Sequence, residues 1–168
     1  AAAAAAAGHE LVVDDEEDVH TISKLALKRA TAMGRRMKTA HALSAKEAIS
    51  LIEKDVSRFQ LMLIDVVMEE ENAGLTLCTW VRAHCPPHVR IVLRTGQAGT
   101  APAAKVMTEN DIDFYLPKTQ GSSDLLFHIV HSSLKASVDL MTMTETNRCL
   151  TAVADLYKLA SSESDLCV

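Results

Sequence analysis

Short apolar runs recur along this chain, each followed by a stretch of helical periodicity, and that alternation limits the fold more than any other feature. The runs at residues 11–13, 60–64, 89–93 and 112–116 lack the in-and-out alternation of a half-exposed strand, so both faces of each are expected to be covered. A weaker run, residues 38–42, adds a fifth strand. Helical spacing fills the intervals at 19–32, 44–54, 73–83 and 101–109, then continues from Ser122 onward. Ser44 and Glu47 form an S-x-x-E capping box, with Leu43 as its hydrophobic staple. Five strands alternating with helices predict an α/β fold: a five-stranded parallel sheet, doubly wound by right-handed crossovers, with helices on both faces and an extended helical tail.

In such a sheet, ligands sit outside the carboxyl ends of the strands. Asp14 and Asp15 follow the first strand, Asp65 ends the third, Thr95 ends the fourth and Lys118 ends the fifth. All of them point to one rim. Three crowded carboxylates repel unless one takes a proton or a cation joins them. Oxygen ligands with room for water suit Mg²⁺, which commonly binds one or two carboxylates together with a phosphate. Lys118 then supplies a point charge for a phosphoryl oxygen, the Thr95 hydroxyl donates to another, and the Asp65 carboxylate is the candidate nucleophile. Gly96 leaves the approach open. Singly, each residue suits a turn or a cap. Together, acid pair, acid, hydroxyl and ammonium on four strand ends exceed what packing requires, because clustered charges cost several kcal/mol unless used or paired.

Composition narrows the alternatives. The 168 residues suit one domain with an extension, and the net charge of -5 provides no basic stripe for direct nucleic-acid binding. No apolar run approaches the roughly 20 residues that span a bilayer, so no membrane segment is expected. Cys78, Cys85, Cys149 and Cys167 are scattered without a C-x-x-C pair, which fits reduced thiols and a cytoplasmic protein. "HCPPH" at 84–88 lacks a second ligand pair and reads as a helix end rather than a zinc site. Residues 1–8, mostly alanine, read as a leader or tag-like segment outside the domain.

With "VVDDEEDV", "LMLIDVVM", "LRTG" and "YLPK" in order, the chain resembles the receiver domain of two-component response regulators, over about residues 10–134. The resemblance implies a flavodoxin-like (βα)5 domain, bounded here at 9–135. It implies Mg²⁺ held by Asp14, Asp15, Asp65 and the carbonyl of Val67, with Asp65 accepting a phosphoryl group from a sensor histidine kinase or phosphotransfer protein. Thr95 and Lys118 would read the phosphate, and Tyr115 matches the family's rotating aromatic. Val67 and Gln97 take the positions beside the path of the hydrolytic water. Valine cannot orient water, so slow self-dephosphorylation is expected. Three departures stand out: Met68-Glu69 replaces the usual Met-Pro, the loop "EEENAGL" is one residue longer, and Thr119 follows Lys118 where a proline is common. The run from Asp65 to Gly99 also resembles a narrower group of large bacterial regulators whose output is, for instance, an HD-GYP phosphodiesterase.

The tail at 136–168 keeps apolar residues at helical spacing, although Thr142, Thr144 and Thr146 interrupt the best helix formers and no strict heptad runs its length. A helical linker toward a downstream output domain is expected, with signalling through the face of the fourth helix, fifth strand and fifth helix. Homodimerisation would use that face or the tail. Three other chemistries share parts of this pattern. A phosphatase of the haloacid dehalogenase type needs an acid where Val67 stands. A degenerate receiver serving only for docking should have lost a ligand, and none is lost. A flavodoxin-like cofactor domain needs a Ser/Thr/Gly-rich phosphate loop after the first strand, where acids stand instead.

Overall fold

The computed structural model describes residues 9–28, 31–32, 35–96, 103–118 and 123–164. Along the chain come β1 (His9–Val13), α1 (Glu17–Leu27), β2 (Thr31–Ala32), β3 (Arg35–Arg36), β4 (Lys38–Ala42) and α2 (Ala45–Ile52). These are followed by β5 (Phe59–Asp65), α3 (Ala73–His84), β6 (Arg90–Thr95), α4 (Ala103–Glu109), β7 (Phe114–Pro117) and α5 (Ser123–Ser164). Five strands form one parallel sheet in the order β4-β1-β5-β6-β7. The chain turns one way from β1 to β4 and the other way from β5 to β7. The switch therefore falls between β1 and β5, whose carboxyl ends bear Asp14 and Asp65.

The continuous apolar runs have the expected cause: both faces of the sheet are covered. On one face Val12, Leu61, Leu63, Val92 and Leu116 pack with Leu27 of α1 and with Leu126, Val130 and Leu134 of α5. On the other, Leu11, Val13, Met62, Ile64, Ile91 and Leu93 pack with Ile52 of α2 and with Leu77, Cys78 and Val81 of α3. Each fully buried Leu or Ile contributes about 1.5–3 kcal/mol of apolar burial, so the central strand β5 anchors the sheet.

Two local expectations are corrected. The helical reading of 19–32 runs too far, because α1 ends at Leu27 and Thr31–Ala32 pairs antiparallel with Arg35–Arg36. A β-branched Thr31 and the nearby Gly34 weaken helix continuation there. Ser44 does cap α2, accepting from Glu47 N at 3.1 Å, but the Glu47 carboxylate reaches back to Leu43 N at 2.8 Å. Leu43, expected as a staple, is 45% exposed.

In β1 the register with β5 shifts between His9 and Glu10, leaving Gln60 without a partner residue opposite. The Gln60 amide Nε2 instead approaches Met141 Sδ on α5 at 4.0 Å. Helix α5 runs unbroken through its threonines. The hydroxyls of Thr142, Thr144, Thr146 and Thr151 each donate to the carbonyl four residues back, which satisfies them without breaking the helix. Its first half packs on the sheet, whereas residues 142–161 are all exposed. No described helix is long and apolar enough to cross a membrane.

Candidate functional site

Asp14 leaves β1 with its N–H donating to Ala42 O at 3.1 Å, and its Oδ1 accepts from Glu16 N at 3.1 Å. That turn starts α1 and holds the carboxylate at the rim, 1% exposed. Asp15 stands beside it and is exposed. Asp65 is the last residue of β5 and is 5% exposed. Carboxylate oxygens from Asp14, Asp15 and Asp65 lie within 4.8 Å of one another. The three acids expected at two strand ends therefore converge.

Lys118 completes the cluster. Its N–H donates to Thr95 O at 2.7 Å, so the end of β6 positions the lysine backbone. Its Nζ lies 3.0 Å from Asp65 Oδ2, 3.1 Å from Asp14 Oδ2 and 3.1 Å from Glu16 Oε1. Burial raises the Asp65 pKa above the usual carboxylate value, and the Lys118 hydrogen bond only partly opposes it. For Lys118, burial favours loss of charge, but hydrogen bonds to Asp65, Glu16 and Asp14 outweigh it and hold the ammonium above its ordinary range.

Thr95 is buried at the end of β6, opposite Pro117 of β7. Val67, two residues beyond Asp65, is 36% exposed. Tyr115 on β7 is half-buried and packs against the core shared by α2 and α3. Gln97 lies outside the described residues. In the loop that departs from the family pattern, Glu69 Oε1 accepts from Ala45 N at 3.0 Å, tying the loop to the start of α2. A carboxylate at a helix N-terminus meets unpaired N–H groups and the positive end of the dipole. Gly74 shapes the same loop: a Cβ there would stand 1.8 Å from the Asp65 carbonyl oxygen, and its N–H donates to Val66 O at 3.1 Å.

Three participants were not legible beforehand. Glu16 supplies the third acid on Lys118; its signal was the acid run itself, read only as unsuited to a flavin phosphate. Arg94 pairs with Asp65 in the β5–β6 register, and its guanidinium donates to Ser23 Oγ at 3.0 Å. His20 Nε2 lies 2.7 Å from Asp14 O, so it carries the proton, and its Nδ1 faces His41 Nδ1 at 2.9 Å. His41 must then be the donor of that second bond when both rings are neutral.

The donor set is all oxygen, and two of its three carboxylates are buried, which suits a hard divalent cation rather than zinc or copper. The response regulator receiver domain family matches residues 11–130. The chain belongs to that family.

This receiver domain is 38% identical over 146 residues to the 3'3'-cGAMP-specific phosphodiesterase 2 of Vibrio cholerae, covering 86% of the chain but only 28% of that relative's length. A response regulator structure from Chloroflexus aurantiacus is 27% identical with a TM-score of 0.62, covering 76% of this chain and 98% of the other. The signal receiver domain of an HD domain-containing protein from Pseudomonas fluorescens has a TM-score of 0.67 at 20% identity, covering 79% and 98%. At that identity the likeness is one of fold.

Proposed function

We propose that this receiver accepts a phosphoryl group on Asp65 from a phosphohistidine of a sensor kinase or phosphotransfer protein, and passes the change to a downstream output region through α5. The observation that carries the reading is the Lys118 ammonium held 3.0 Å from Asp65 within a cluster of converging acids.

An Asp65 oxygen attacks phosphorus, a new P–O bond forms and the donor's P–N bond breaks. The electron pair goes to the imidazole nitrogen, which takes up a proton. Lys118 works against burial to keep Asp65 ionised before the attack, then neutralises charge on the transferred group. Thr95 donates its hydroxyl to a phosphoryl oxygen. Asp14, Asp15, Asp65 and the Val67 carbonyl would hold Mg²⁺, which when bound supplies positive charge to the equatorial phosphoryl oxygens. Tyr115 follows Thr95 as the switch residue. In this reading the domain has no turnover of its own beyond self-phosphorylation and slow autodephosphorylation, and the protein is cytoplasmic. The name of the Vibrio relative supports an output of the cyclic-dinucleotide phosphodiesterase class.

Incubation with acetyl phosphate and Mg²⁺ tests the proposal. Intact mass should rise by one phosphoryl group in the wild type and stay constant in Asp65→Asn. A wild type unchanged both in mass and in its beryllofluoride NMR spectrum overturns it. The docking-only alternative predicts that null result. The phosphatase alternative predicts turnover of generic phosphoesters, which Val67 argues against because it stands where the second acid would be needed.

A further inference from the structure

Lys118 is ion-paired with Asp14, Glu16 and Asp65, yet a second cation acts on the same acids from a distance. Arg94 precedes Thr95 in β6 and lies opposite Asp65 in the strand register, so the two side chains leave the sheet on one face. Its neighbours on that face, Val92 and Leu116, are covered by α1 and α5. The Arg94 guanidinium therefore runs behind the rim, where Nη1 donates to Oγ of the fully buried Ser23 on α1 at 3.0 Å. Its Nε is buried with no hydrogen-bond partner, and among the described residues the guanidinium forms no ion pair. Burial draws its pKa below the ordinary arginine value, and the fields of Asp14, Asp65 and Glu16 oppose that fall. An arginine stays charged all the same. Burying a cation without pairing it is costly, so packing alone does not call for an arginine here.

We infer that Arg94 is a fixed charge behind the site, which weakens Mg²⁺ binding at Asp14, Asp15 and Asp65 and strengthens the hold on a phosphoryl group at Asp65. This role rests on the phospho-acceptor reading and adds to it a residue that sets the balance between the two ligands. Lys118 is placed differently. It touches the carboxylates directly, and its flexible stem lets the ammonium follow whichever anion arrives. Arg94 cannot follow, because its planar fork is held on α1 by Ser23. A charge that stays in place repels an incoming divalent cation and attracts an incoming dianion, and the interface between α1 and the sheet screens both effects less than water would. The two signs are opposite. Loss of local packing, in contrast, would loosen the acid cluster and weaken both ligands together.

Titration calorimetry of the whole chain with two ligands is the test. Mg²⁺ alone should bind Arg94→Gln about fivefold or more tightly than the wild type, whereas beryllofluoride at saturating Mg²⁺ should bind it about fivefold or more weakly. Arg94→Lys keeps the charge and should stay near the wild type for both ligands. Should the Gln variant fail to fold, Arg94→Met fills the same space without charge and carries the same expectation. Affinities that fall together, stay unchanged, or change equally in Arg94→Lys overturn the role of Arg94, while binding of both ligands by the wild type leaves the phospho-acceptor reading intact. A wild type that binds neither ligand removes that reading, and the role of Arg94 with it.

Discussion

Lys118 Nζ stands 3.0 Å from Asp65 Oδ2 while also lying 3.1 Å from Asp14 Oδ2. A single ammonium therefore compensates two carboxylates that are almost completely buried. Lys118→Ala removes that compensation, and stranding buried charge of this kind costs about 3 kcal/mol. Urea unfolding should show the loss in metal-free buffer and a smaller loss with millimolar Mg²⁺. Acetyl phosphate should label the variant far more slowly than the wild type.

Gly74 belongs to α3 yet is in contact with the Asp65 peptide, where an added Cβ would stand 1.8 Å from a carbonyl oxygen that cannot swing aside. Gly74→Ala should cost roughly 1–3 kcal/mol as overpacking and should displace the end of β5. Thermal unfolding reads the first effect, and weakened Mg²⁺ binding by titration reads the second. A variant that matches wild type in both measurements would contradict the close approach.

Glu10 lies in β1, completely buried, with neither carboxylate oxygen hydrogen-bonded. Burial lifts its pKa from an ordinary 4.5 to about 7. Between those values the folded state keeps a proton that the unfolded chain releases, so stability is complete below the lower pKa and falls as pH rises through the window. The difference corresponds to roughly 3 kcal/mol by pH 8. Glu10→Gln should remove this dependence, flattening the unfolding midpoint measured between pH 5 and pH 8.

Val67 carries a hydrocarbon side chain two residues after Asp65 and is partly exposed there. Replacing it with Asn adds an amide able to orient water. Decay of the Asp65 phosphoryl group should quicken by about threefold or more, on the order of 0.6 kcal/mol in the barrier. Following the phosphorylated species by mass over time is enough, and identical half-lives would dismiss the role.

The sequence by itself determined the five strands of the parallel sheet and which chemistry their ends carry. Periodicity and chain breaks are written within a few neighbouring residues, and burial on both faces left its mark in the unalternating runs of β1, β5 and β6. Asp14, Asp15, Asp65 and Lys118 were legible for the same reason: each closes a run. The end of α1 at Leu27 was less legible, since the same residues carry helical spacing and the signals against it, Thr31 and Gly34, are weak beside that spacing. Only the tertiary structure decided that Glu16 would meet Lys118 across 102 positions, that Arg94 would stand opposite Asp65 in the strand register, that His20 would hold the Asp14 carbonyl and that Gly74 would touch the Asp65 peptide. It also divided α5 into a docked half and an exposed half. These contacts depend on strand order and crossover direction, which bring distant segments together, and no local pattern of residues encodes which distant side chain arrives beside which.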